Sequence, residues 1–228
     1  DREQSAQPFA DMFRTGVHRS LAVLGGLEDR VSSIATSRTG NESVAKLGVK
    51  QVRPMAKSNA AAPAPSGEDG WDVWASVYGR SSEEKASDSQ GASKLRNDEA
   101  GTQIGVERRM GDLTIGLMGA TGWGRTRFES PEVRINSDSW HIGLYTVAPI
   151  GPVTLDASVM YGYADNDSTR TPHVATYLGG ADVQNHGRFD SQDLTLSLGA
   201  AYNMLPADSA FQAAPVLRLT FVDYTQSG

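Results

Sequence analysis

The chain has 228 residues, with 21 Lys plus Arg against 27 Asp plus Glu, a formal net charge of -6 and a pI near 5.2. That balance excludes a strongly basic nucleic-acid binder, because phosphate neutralisation needs a basic surface. The lack of cysteine excludes disulfide scaffolds, thiolate zinc sites and cysteine nucleophiles, and suits an oxidising compartment.

No apolar run approaches the roughly 18–20 residues of a membrane-spanning helix. A membrane β-barrel escapes that test, because its strands alternate. Asp1–Gln7 is polar and does not read as a secretory leader. The chain is expected to be an internal piece of a longer polypeptide.

Residues 1–36 form a helical segment. Phe9, Phe13, Val17, Leu21, Leu24, Val31 and Ile34 recur at intervals of three, four or seven, which predicts a helix over 7–36. It would reach about 40 Å, enough to cross a bilayer inside something else. Pro8 suits the first turn, and Gly25-Gly26 should weaken or kink the middle. Arg14 and His18 lie one turn apart on the polar face, with Arg19 beside them. Residues 37–70 read as an Ala/Pro-rich linker, marked by Ala60–Gly67.

From Trp71 onward the period changes to two. Leu113, Ile115 and Leu117 alternate with Asp112, Thr114 and Gly116. Val153 to Tyr161 and Leu194 to Tyr202 alternate in the same way. Seven strands are expected, at about 71–80, 100–110, 112–124, 138–149, 152–164, 189–204 and 211–224. They are roughly twice the usual strand length and near the 9–11 residues of a tilted membrane strand. Long polar connections at 81–99, 125–137 and 165–188 are expected to alternate with short ones at 110–112, 149–152 and 206–208. This is the pattern of an outer-membrane barrel, with short turns in the periplasm and long loops outside.

Trp71 and Trp74 open the first strand, Trp123 closes the third and Trp140 opens the fourth. Indole rings favour the membrane–water interface, so the first pair is expected at the periplasmic girdle and the second at the extracellular one. Trp71 and Trp74 nevertheless fall on opposite faces of one strand. Opposite the apolar residues lie Gln103, Glu107, Arg109, Asp156, Asp193 and Arg218, with Gly105, Gly116, Gly143, Gly162 and Gly199. This polar, small-residue lining leaves room for the upstream helix. Arg14 and His18 are expected to pair with lumen acids such as Glu107 or Asp156.

No catalytic, cofactor or metal site is expected. His173 and His186, in or beside the longest loop, match no zinc spacing. Asp165-Asn166-Asp167 lacks the Gly and closing Glu of a calcium loop, and Gly122-Trp-Gly124 is too short for a phosphate loop.

The segments Trp71–Gly79, Gly101–Leu117, Ser139–Tyr145 and Leu155–Asp167 followed by Arg170 resemble the first strand, the second hairpin and the fourth and fifth strands of the autotransporter β-domain, the translocator of type V secretion. The helix ending near Leu27-Glu-Asp-Arg30 resembles the segment before the barrel. The resemblance implies an all-β, antiparallel up-and-down outer-membrane barrel over 71–228, entered by the helix. It implies no enzymatic reaction and no cofactor. Its implied partners are outer-membrane lipid, the barrel-assembly machinery and the domain's own passenger, displayed at the cell surface.

Members are similar to twelve-stranded barrels ending on an aromatic residue, whereas this chain ends Thr225-Gln-Ser-Gly228. Seven strands leave two open edges, untenable in lipid, so an incomplete barrel lacking about five strands is expected. Two other readings remain at this point: a different outer-membrane barrel of porin or adhesin type, and a soluble β-sandwich binding module.

Overall fold

In a computed structural model, the described residues are 7–38, 70–84, 95–129, 132–171, 185–204 and 214–227. The 37–70 linker and His173 therefore lie outside them, Gly70 and the last helical residues excepted. A helix, α1 (Gln7–Arg38), precedes seven strands: β1 (Trp71–Glu84), β2 (Leu95–Met110), β3 (Leu113–Glu129), β4 (Glu132–Ile150), β5 (Val153–Thr171), β6 (Asn185–Tyr202) and β7 (Val216–Ser227). Every strand pairs antiparallel with its sequence neighbour, in one sheet of order β1 to β7. The sheet is open among the described residues, and it curls until α1 touches both edge strands, β1 and β7. No described helix is long and apolar enough to cross a membrane.

The helix runs through Gly25-Gly26 without a break. The expected weak point is offset because its apolar face is packed. Val23, Leu24, Leu27, Val31 and Ile34 are buried against Trp74, Met118, Tyr145, Val147 and Met160 of the sheet, and tertiary packing overrides local propensity.

β1 to β6 are longer than their sequence suggests, whereas β7 starts later and is shorter than the expected 211–224, and the connections differ accordingly. Arg125–Ser137, expected as a loop, is mostly strand: β3 and β4 stay paired up to Glu129 and Glu132, leaving residues 130–131 between them. β5 and β6 extend to Thr171 and Asn185, and the expected short link after β6 spans 203–215. Strict alternation of long and short connections therefore does not hold. Two two-residue turns do close one end of the sheet, at Gly111-Asp112 and Gly151-Pro152, with Gly111 at φ 57° and Gly151 at φ 60°. That left-handed conformation is free of steric cost only for glycine.

The missed strand ends have a common cause. Along Leu113–Trp123, Trp140–Ile150 and Val153–Tyr163, eleven residues each, the outward side chains are mainly apolar. Ile115, Leu117, Ile142, Leu144 and Leu155 are all exposed. Beyond Trp123 and Trp140 the faces exchange character. Arg125, Arg127, Arg134 and Asp138 point outward, while Leu95, Phe128, Val133 and Ile135 form a buried inward cluster that Phe189 flanks. An apolar band with polar strand extensions is what a sheet crossing a bilayer and emerging into water requires.

Candidate functional site

The inner face of the sheet is a trough holding α1. The helix runs parallel to β2, and three levels of contact tie the two together. Near the end opposite the two tight turns, Arg19 lies 3.9 Å from Glu99 and its Nη2 donates to Asn166 Oδ1 at 3.4 Å. Midway, Gln103 Nε2 donates to the Val23 carbonyl at 2.7 Å. The helix can approach that closely because Gly26 faces Gln103, and any Cβ there would strike the amide. Nearest the tight turns, Arg30 grips Glu107 with Nη2–Oε1 at 2.6 Å and Nε–Oε2 at 3.2 Å.

The spacing of these levels is geometric. Residues 19 to 30 span about 16 Å of helix axis. Residues 99 to 107 span about 26 Å of strand, which projects onto that axis at a tilt of about 50°, close to the tilt of membrane strands.

The Arg30–Glu107 pair is the most buried charged contact, with side-chain exposures of 2% on both sides. A hydrogen-bonded relay supports it. Trp74 Nε1 donates to Tyr145 Oη at 2.8 Å, and Tyr145 Oη donates to Glu107 Oε2 at 2.6 Å. Inward glycines make room for both rings: a Cβ at Gly105 would enter the Trp74 indole and one at Gly116 the Tyr145 ring. The carboxylate therefore has a bidentate guanidinium and a phenol, the combination that makes a buried ion tolerable.

β7 closes the other side. Arg218 bridges Glu28 of the helix and Asp156 of β5, each at 3.1 Å. Tyr224 packs edge-on to Phe13 with ring centroids 5.3 Å apart, over Gly16.

Of the residues expected in the lumen, Gln103, Glu107, Asp156, Asp193 and Arg218 all face inward, and Arg109 is half-buried on the same face at the tight-turn end. Asp193 Oδ1 lies 3.5 Å from His141 Nε2 in the wall. Among the described residues, Glu107 is held by Arg30 and Tyr145, and Asp156 by Arg218 from the sheet itself. His18 is half-buried on α1, and the Arg14 side chain lies outside the described residues. Arg19 and Arg30 were both in the sequence, but the depth at which each enters the trough depends on strand tilt, which sequence periodicity does not carry.

Trp71, Trp123 and Trp140 point outward, at 67%, 58% and 45% exposure. Trp71 lies beneath Arg108, and Trp140 packs with Tyr161 and Tyr163. Trp74 does not belong with them: it is 1% exposed and sits inside. The lumen is also less polar than expected, since Trp74, Met118, Val147 and Met160 meet the helix. Among the described residues no group of His, Asp and Glu is arranged to hold a metal.

This arrangement binds a helix. A family model for the autotransporter β-domain matches residues 73–228. No curated protein matches the chain. With its meander sheet, apolar outer belt and helix-filled trough, the chain belongs to the autotransporter β-domain family, the non-enzymatic outer-membrane translocators of type V secretion.

Proposed function

We propose that this chain anchors and exports a passenger joined on the N-terminal side of α1, and that α1 is the segment left in the pore. The division is then a pore helix in 1–36, a linker over 37–70 and barrel strands from 71. The helix enters at the cell surface and ends in the periplasm, where β1 begins. The tight Gly111 and Gly151 turns face the periplasm, and the polar strand extensions stand outside. The supporting observation is the helix–β2 ladder from Arg19–Glu99 to Arg30–Glu107, which fixes the direction of α1 relative to the strands.

Trp71 then lies at the inner girdle, and Trp123 and Trp140 at the outer one. Outer-membrane lipid covers the belt, and the barrel-assembly machinery inserts the strands. A helix retained by the buried Arg19–Glu99 and Arg30–Glu107 pairs, the Glu28–Arg218 bridge and the close contacts at Gly16 and Gly26 plugs the lumen, yet it can slide while those contacts are unmade.

This chain carries no cysteine, and any cysteine elsewhere in the full protein is replaced by serine before the test. Single cysteines replacing Glu83 in β1 and Asp112 in the tight turn, in the full protein on intact cells, are treated with a membrane-impermeant maleimide. Glu83→Cys should react in whole cells and Asp112→Cys only after permeabilisation. The reverse pattern would overturn the orientation, and equal labelling of both without an outer-membrane fraction would overturn the insertion.

A further inference from the structure

We infer that the outer surface of β1–β4, just beyond the Trp123 level, is a binding site for a phosphorylated glycolipid of the outer leaflet. Three observations converge there.

The first is charge. Arg96, Arg127 and Arg134 are direct cross-strand neighbours on three adjacent strands, all pointing outward and exposed. Like charges directly opposite one another destabilise a sheet, and a multivalent anion lying across the row relieves that repulsion. Arg125 sits one step closer to the membrane on the same face. The local acids are Asp98, which already holds Arg96 at 3.0 Å and Ser81 at 2.6 Å, Glu83, directly opposite Arg96 on β1, and Asp138. Four arginines against three carboxylates still leave this patch a net cation on a chain whose net charge is -6, with Arg125, Arg127 and Arg134 set away from Glu83.

The second is shape. A groove of about 970 Å³ runs along β1–β3 at this height. Its floor is made of small residues, including Gly79, Ala100 and Gly124, with Trp123 as one wall and Arg125 and Arg127 at its upper end. An indole wall stacks on a sugar ring, and the guanidinium fork fits phosphate bidentately.

The third is position. The groove begins at Val77 and Thr102, at the edge of the apolar belt, so its lower mouth opens toward acyl chains and its upper end toward headgroups. Arg127 stands four residues beyond Trp123, about 9–10 Å above the girdle on a tilted strand. That is the level of phosphorylated sugars in a glycolipid leaflet.

The inference rests on the proposed orientation, since only the outer leaflet carries such a lipid. The test uses the full protein, purified from the outer membrane in detergent. Binding of lipopolysaccharide, enzymatically dephosphorylated lipopolysaccharide, phosphatidylglycerol and inorganic phosphate is measured by native mass spectrometry and by titration. Lipopolysaccharide should bind at least tenfold more tightly than its dephosphorylated form or phosphatidylglycerol, and inorganic phosphate should compete only weakly. Arg125→Gln with Arg127→Gln should abolish that preference, and Trp123→Ala should reduce it several-fold, with the folded gel mobility kept.

Equal binding of intact and dephosphorylated lipid, or no effect of the double Arg variant, would overturn the site. Strong competition by inorganic phosphate would overturn the lipid and leave an anion site. Labelling of Glu83→Cys on whole cells reads the orientation separately, so a failure of that premise is distinguished from a failure of the site.

Discussion

Removing Arg30 should free the pore helix. In Arg30→Met the side chain keeps its length but loses its charge, leaving Glu107, 2% exposed, with Tyr145 Oη as its remaining described donor. Breaking a buried pair from one side costs about 3–5 kcal/mol. At a factor of ten per 1.4 kcal/mol, the undocked fraction of α1 rises between about a hundredfold and a few thousandfold. The reporter is a cysteine replacing Leu27, 1% exposed on the docked helix face, and its rate of reaction with a soluble maleimide tracks the undocked fraction. A cysteine replacing the exposed Ser32 serves as control and should react at one rate in every background. Replacing both partners, Arg30→Met with Glu107→Met, leaves no orphaned charge and should bring the Leu27→Cys rate back to within about tenfold of the parent. A rise of less than about threefold in Arg30→Met, or single and double variants that simply add, would refute the reasoning that this pair holds the helix.

The neighbouring glycines of α1 should behave oppositely. A Cβ at Gly25 meets nothing within 4 Å, so Gly25→Ala should stabilise the helix by about 0.8–1 kcal/mol, while Gly26→Ala pushes Gln103 away and should raise the Leu27→Cys rate. Gly116→Val drives into the Tyr145 ring and should cost about 1–3 kcal/mol, read as a lower temperature for the folded-to-unfolded gel shift; an unchanged temperature would show that the ring has another resting place. Leu144→Arg, outward and central in the β4 belt, should cost about 2–4 kcal/mol at the bilayer midplane. Gln192→Arg, also outward but at the rim of β6, should fall within about 0.5 kcal/mol of the parent, and equal costs at the two sites would argue that neither faces lipid.

Period-two alternation revealed the seven strands and their lumen face because burial against lipid imposes one sign of polarity on every second residue. It failed where that sign reverses. At Arg125, Arg127 and Arg134 the outward residues are charged because they face water, and a charged stretch with Leu95, Phe128 and Val133 on the hidden face reads as loop. Trp74 was misplaced by the same habit: the preference of indole for an interface is real, but parity with Trp71 puts it inside, where Tyr145 takes its N–H. The Arg30–Glu107 pair was hidden for a different reason. Arg19, Val23, Gly26 and Arg30 lie on one helix face, and Glu99, Gln103 and Glu107 recur every four residues on β2. Matching the two series requires the strand tilt, which converts strand length into helix length.

The eleven-residue belt also sets where this protein can be at rest. Eleven residues at about 3.3 Å, tilted by about 45°, give an apolar height near 26 Å, thinner than the hydrocarbon of an average bilayer and matched to the thin bacterial outer membrane. Arg125 stands two positions above Trp123 and the tight turns end the strands below, so vertical travel of even one residue pair would submerge a guanidinium or lift an apolar ring into water. Hydrophobic mismatch thus sorts the domain away from thicker membranes and locks its height, so Glu99, Gln103 and Glu107 wait at fixed depths for the helix that docks on them.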